Sequence, residues 1–355
     1  MIILILTITI VSLLLPNNKT LQTYLGVSAC IIFSCVIGLR SFDSGTDTLS
    51  YVSYFNSIHE DRSYFEPLFY FFTLFFAAVS SSVTYIFSLS AIPISLIFLA
   101  ALSTKVKRPA LILCLFISFV PGIDLITNGV RSGLSLSIGL FLVVMFAQHP
   151  IKRYMFNFVP IFFHYSFIMV LLADIGSKIL SLRMLTIINM FGILVIFFWL
   201  SVNAEALVTY VTDFYWSQDE ESSFVVDKFL RYLINKQTFF SKSVFMYFAF
   251  LSIFLTLANF YFIRVRKVVS DRISIYLYSL STLLFFAFAL VSFSPFSYRF
   301  MFVAYVFQIF LFGYLMDHRG YGDWVKLMYF CVIFVSCLTT YTTNTMSRFT
   351  FLDIF

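Results

Sequence analysis

Apolar stretches of roughly 15 to 22 residues recur along the whole chain, broken by short polar or basic connections. Each is long enough to cross a bilayer as a helix. The pattern predicts spans over 2–15, 20–39, 65–80, 83–103, 109–121, 130–147, 154–164 continuing with a break into 166–180, 184–202, 243–263, 273–292, 298–316 and 324–341. That is roughly a dozen spans in one integral membrane unit, residues 1–355, interrupted by one long polar segment, 203–242. The alternating short segments of a β-barrel do not occur. The apolar first 15 residues lack a basic start and a small-residue cleavage site, and read as a retained helix.

Composition agrees. Hydrophobic residues make up 61% of the chain and charged residues only 11%, against about 25% in a soluble domain. The fold class is therefore an all-α polytopic membrane protein. The 49 Phe and 21 Tyr suit lipid-facing and interfacial positions. Cys30, Cys35, Cys114, Cys331 and Cys337 lie within apolar runs and read as small packing residues rather than a disulfide framework. The net charge of +6 resides in short connections, which excludes a nucleic-acid surface. No phosphate-binding Walker motif, helical His-Glu-x-x-His or Gly-x-Ser-x-Gly occurs, so no cofactor and no metal is expected.

The basic connections predict orientation. Lys105–Arg108, Lys152–Arg153, Arg264–Lys267 with Arg272, and 317–326 are short and rich in Lys and Arg, which places them in the cytoplasm. One helix away from them stand Arg131, His164 and Arg299, all then at the outer face. Placing Gly45 outside and Lys105 inside requires an odd number of crossings between them. Either the short 67–80 segment is re-entrant, which is the preferred reading, or the Gly45 turn is cytoplasmic.

The polar residues at that face carry the candidate chemistry. Arg40 follows an apolar run and precedes the turn Asp43-Ser44-Gly45-Thr46-Asp47, which opens a first functional segment over 40–66. Arg131 begins a helix at Asn128-Gly129-Val130-Arg131, where free N–H groups and the dipole add to its charge. Ser132, Gly133, Ser135, Ser137 and Gly139 let another helix or a lipid chain come close. His164 can accept a proton near neutral pH. Arg299 begins another helix and offers a further cation. Asp124 and Glu66 could orient a hydroxyl, although helix capping is the plainer role for both. Three arginines, one histidine and a few carboxylates suit a lipid-borne diphosphate beside an acid or base.

These pieces form an ordered set. Gly38-Leu39-Arg40, Gly45-Thr46-Asp47, Tyr51 to Phe55, Glu66-Pro67-Leu68-Phe69, Asn128-Gly129-Val130-Arg131, Phe163-His164-Tyr165-Ser166 and Tyr298-Arg299-Phe300 together resemble the EpsG-like branch of the Wzy polysaccharide polymerases. That family has Gln where Ser132 stands. The resemblance implies a glycosyltransferase-C-like architecture in a bacterial inner membrane, with periplasmic loops and the active site facing the periplasm. It implies undecaprenyl-diphosphate-linked glycans as donor and acceptor, membrane lipid around them, and a chain-length regulator as a further partner. Arg40, Arg131 and Arg299 are then expected to bind the diphosphate. Either His164 or Asp47 is the base, and Tyr51, Asp124, Tyr215 and Trp216 contact glycan. A lipid-linked oligosaccharide flippase and an O-antigen ligase are the alternatives.

Overall fold

The structure, a computed structural model, describes residues 1–43, 47–59, 66–104, 106–201, 242–267, 272–291, 297–318 and 323–342. Among these the regular elements are helical. In chain order they are α1 (Ile2–Leu14), α2 (Lys19–Gly38), α3 (Thr48–Ser57), α4 (Pro67–Val79), α5 (Ser82–Ser103), α6 (Pro109–Ser118), α7 (Val120–Thr127), α8 (Val130–Met145), α9 (Pro150–Asn157), α10 (Ile168–Ser177), α11 (Leu182–Ser201), α12 (Lys242–Phe260), α13 (Arg272–Leu290), α14 (Ser297–His318) and α15 (Asp323–Thr342). Short 3-10 turns, Val159–Phe162 and Tyr165–Phe167, join α9 to α10.

Among the described residues six helices are long and apolar enough to cross a membrane alone: α2, α5, α11, α12 with its π-helical extension to Val265, α13 and α14. The bent pair α6–α7 makes a seventh if counted as one span, and five further apolar helices have 10 to 17 residues. Helix length thus supports fewer full crossings than the dozen expected. Part of the shortfall lies where the chain turns back inside the bundle.

The first such place is α4, only 13 residues long. Two residues, Ser80 and Ser81, connect it to α5, and Phe72, Thr73 and Phe76 all close on Tyr85 in the first turn of α5. So α4 folds back on the start of α5, and of the two only α5 has full spanning length. α2 runs antiparallel to α5: Gly38 lies against Phe87, Cys30 against Ser95 and Gly26 against Phe98. Arg40 and Arg108 consequently stand at opposite ends of α5, with one full-length helix between them.

The second is the α6–α7 pair, bent by 87°. Phe119 between them is extended (φ −94°, ψ 147°), and Pro121 has no N–H to continue the α6 ladder. Freed carbonyls must be satisfied in a bilayer. Phe116 O accepts from Tyr305 Oη at 2.9 Å and Ser118 O from Thr340 Oγ1 at 2.6 Å, so α14 and α15 supply the missing donors.

The third corrects the sequence reading of 154–180 as one broken span. Arg153 and Asp174 are 21 residues apart, about 31 Å in a straight helix. In the structure Arg153 Nε and Nη2 bond both oxygens of Asp174, at 3.0 and 2.9 Å. The segment is therefore a hairpin, closed at its base by this pair, with Phe163-His164 at its tip. It climbs beside α8, where Ser135 Oγ donates to Pro160 O at 2.8 Å and a Cβ on Gly139 would collide with the Phe167 ring.

α14 is the strut around which these pieces pack, with 94% of its apolar window buried. Its last turn carries Asp317, which accepts the backbone N–H groups of Lys107 and Arg108. The end of α12 with Arg264 and Arg266, and the Tyr276 end of α13 beside Arg153, lie at this same end. The basic connections thus gather at one end of the bundle. Arg40, Glu66, Arg131 and His164 gather at the other.

Candidate functional site

Three interrupted elements meet at that second end. Pro67 starts α4, and the residue before it is held extended (φ −60°, ψ 145°). Glu66 therefore stands just outside the helix, and its side chain does not cap α4. This replaces the capping role expected of it. The carboxylate instead bridges two other elements. Oε2 lies 2.8 Å from Arg131 Nη1, in the first turn of α8, and Oε1 lies 2.9 Å from His164 Nδ1 at the hairpin tip. The imidazole contact is at ion-pair distance but is not aligned as a hydrogen bond.

Burial alone would raise the Glu66 carboxyl. The neighbouring His164 imidazole and the Arg131 guanidinium outweigh it and hold Glu66 down at about 2, so it is ionised at every working pH. Side-chain exposure is unequal across the cluster: 5% for Glu66, 14% for His164 and 27% for Arg131. Arg131 is the member that opens outward. Its guanidinium also lies 6.0 Å from the Phe69 ring, and Tyr51 of α3 sits beside it. A Cβ on Gly133 would strike Leu125 O, so glycine is what lets α7 press against α8 and set the height of Arg131.

Arg40 lies below this cluster, 1% exposed. Nη1 donates to Ile37 O (3.0 Å) and Ser90 Oγ (2.7 Å), and Nη2 to Thr127 O (2.9 Å) and Thr48 Oγ1 (3.3 Å). One guanidinium thus ties α2, α3, α5 and α7 together. It does not face open space, as a residue gripping the diphosphate directly would.

The other sequence candidates divide. Tyr51 joins the cluster. Asp47 precedes α3, is exposed and does not cap the helix with its side chain. Its charge reaches Tyr51 and Asp124. Asp124 accepts from Asn128 Nδ2 at 2.6 Å. Arg299 opens α14 at the same end of the bundle, where its Nε donates to Tyr298 Oη at 3.0 Å. Tyr215, Trp216, the 203–242 segment up to residue 241 and the turn at Gly45 lie outside the described residues. Among the described residues no group of three or more His, Cys, Asp or Glu stands as a metal site would require.

The ordered set of motifs now has a match. The EpsG family aligns with residues 23–352, nearly the whole chain. The chain belongs to the EpsG family. EpsG proteins are Wzy-like polysaccharide polymerases. No curated protein and no solved structure matches the chain. In this EpsG protein the residue that sequence reasoning undervalued is Glu66. The sequence offers for it only a carboxylate directly before Pro-Leu-Phe at the head of an apolar helix.

Proposed function

We propose that this protein polymerises undecaprenyl-diphosphate-linked repeat units at the periplasmic face of a bacterial inner membrane. The growing glycan moves from its lipid diphosphate onto a hydroxyl of a newly delivered lipid-linked repeat. The observation that carries this reading is the Glu66–Arg131–His164 cluster. It places a cation open to an oxyanion beside an imidazole backed by a carboxylate, at the end of the bundle away from the basic connections. Since short Lys- and Arg-rich connections stay in the cytoplasm, that end is periplasmic.

The chemistry follows from the atoms. Glu66 faces Nδ1 of His164, which leaves Nε2 to take the proton of the acceptor hydroxyl. As the acceptor oxygen bonds to the donor anomeric carbon, the bond from that carbon to the diphosphate breaks, and the diphosphate leaves with the electron pair. Arg131 stabilises the charge that develops there, with Arg299 as a second cation. Glu66 stabilises the imidazolium that forms. Arg40 acts from beneath as a brace for the walls of the site. Asp47, Asp124 and Tyr51 position the acceptor glycan, while lipid tails lie against the Phe-rich helices. Asp47 as base is the competing assignment, favoured by its exposure.

Incubation of the purified protein with lipid-linked repeat units decides the class. Longer glycans on the lipid carrier support the polymerase. Transfer to lipid A core means a ligase, and no new glycosidic bond means a transporter.

A further inference from the structure

Glu66 is one carboxylate with two oxygens, and each is committed to a different cationic partner. Its negative charge is therefore divided. Whatever draws Arg131 away leaves more of that charge to His164, because at these separations in a poorly screened site a single ion pair is strongly felt. Arg131 is also the member of the three with the most exposed side chain, so an arriving anion meets it first.

We infer that Glu66 is a donor-controlled switch, in which an oxyanion that engages Arg131 hands the carboxylate over to His164 and so strengthens the base only when the donor is seated. The inference rests on the polymerase reading above, with the donor diphosphate as the oxyanion. Two features allow the handover. The Glu66 side chain makes no capping bond to its own helix, so it can shift without unravelling α4. The hairpin that carries His164 is fixed on α8 through Ser135 and Pro160, so the imidazole stays in place to receive it. Among the described residues, further titratable groups around the cluster are Tyr51 and Tyr54 of α3, Tyr85 of α5, Asp47 before α3 and Asp124 of α7. They are present in both states and do not distinguish them. The consequence is order: the acceptor hydroxyl is activated only once an anomeric carbon is there to receive it.

The test uses the full-length protein in detergent and inorganic pyrophosphate as the probe. Diethyl pyrocarbonate modifies unprotonated imidazole, and the His164 peptide can be followed by mass spectrometry at about pH 5.5, below the ordinary imidazole range. Pyrophosphate should slow modification of His164 about tenfold, the equivalent of one unit in proton affinity. In E66Q the slowing should shrink to about twofold or less, the residue left by the screened field of the anion itself. E66D, which keeps the charge on a shorter stem, should retain part of the effect and guards against a misfolded Gln variant. Equal slowing in E66Q and wild type would mean direct shielding and would overturn the switch. So would unchanged modification with pyrophosphate shown by calorimetry to be bound. Absence of pyrophosphate binding would remove the anion site as well, and with it the donor-binding role given to Arg131.

Discussion

Two arginine–carboxylate pairs stand near opposite ends of α8, and they are built to different plans. At Arg153–Asp174 the carboxylate is fully buried and receives Arg153 twice, with Asn157 Nδ2 as a third donor at 3.3 Å. The guanidinium is covered by the Tyr276 ring at 4.1 Å, and its remaining Nη1 donates to Ala147 O. At Glu66–Arg131 the contact is a single one, the other carboxylate oxygen serves His164, and about a quarter of the arginine side chain is open. The chemistry of the groups is the same. What differs is saturation: in the first pair both carboxylate oxygens and all three guanidinium nitrogens bond to protein and hold a hairpin shut, whereas the second divides its carboxylate between two partners and keeps part of its arginine at the surface.

The comparison breaks most sharply at His164. H164Q should lower turnover by about a thousandfold while donor binding persists, the range expected for loss of a general base. Activity at the wild-type level in H164Q, with D47N inactive, would transfer the role to Asp47.

Next comes the closed pair. D174N strands Arg153 in the interior, and breaking a buried pair costs about 3–5 kcal/mol. The expected outcome is loss of folded protein in a detergent thermal-shift measurement, with polymer lost in proportion. E66Q should do the opposite and remain folded but inactive. A D174N protein of normal stability and low activity would erase the distinction drawn here.

R131K keeps the charge but loses the planar fork. It should cost about ten- to hundredfold in rate, equivalent to about 1.5–3 kcal/mol for a charge-assisted contact, at unchanged abundance. Near-normal chain lengths would take Arg131 out of the reaction.

The smallest effect concerns acid. Because Glu66 is held below its unfolded value, its contribution to stability is complete above about pH 4.5 and is lost as pH falls toward about 2. E66Q should therefore flatten the acid side of the stability profile in that window, and above pH 5 it should lower the plateau while leaving its slope unchanged. It follows that an acid limb of activity between pH 5 and 7 belongs to another group than Glu66.

The long helices were legible in sequence because hydropathy measures what they are made of: α2, α5, α13 and α14 begin and end within two residues of the expected spans. Direction is what hydropathy does not measure. The α9–α10 hairpin has the same apolar content as a straight span, and only the pairing of Arg153 with Asp174 reveals that the chain returns. α3 and α7 escaped for a related reason, being too short to register against turn-forming neighbours such as Gly45 and Gly129. At the site, Arg131 and His164 stood out as charges in an apolar setting. Glu66 did not, since an acid ahead of a proline is common at helix starts and only the tertiary structure turns it inward. Arg40 stood out equally, yet its burial depends on Ser90 and Thr127 O, which lie far along the chain.

The break at Phe119 also has a consequence in time. A ribosome delivers this chain from its N-terminal side, so residues 116–118 enter the bilayer long before the side chains that pair with their carbonyls exist. Thr340 is 222 residues behind Ser118, about 10–45 s of synthesis. During that interval the carbonyls of Phe116 and Ser118 have neither Tyr305 nor Thr340 to accept from, and hydrocarbon offers no substitute. The bend that aims α7 at Arg131 is thus among the last features to be secured. The reaction centre is therefore unfinished while the first helices insert, and it is completed by the arrival of α14 and α15 rather than by any residue of the centre itself.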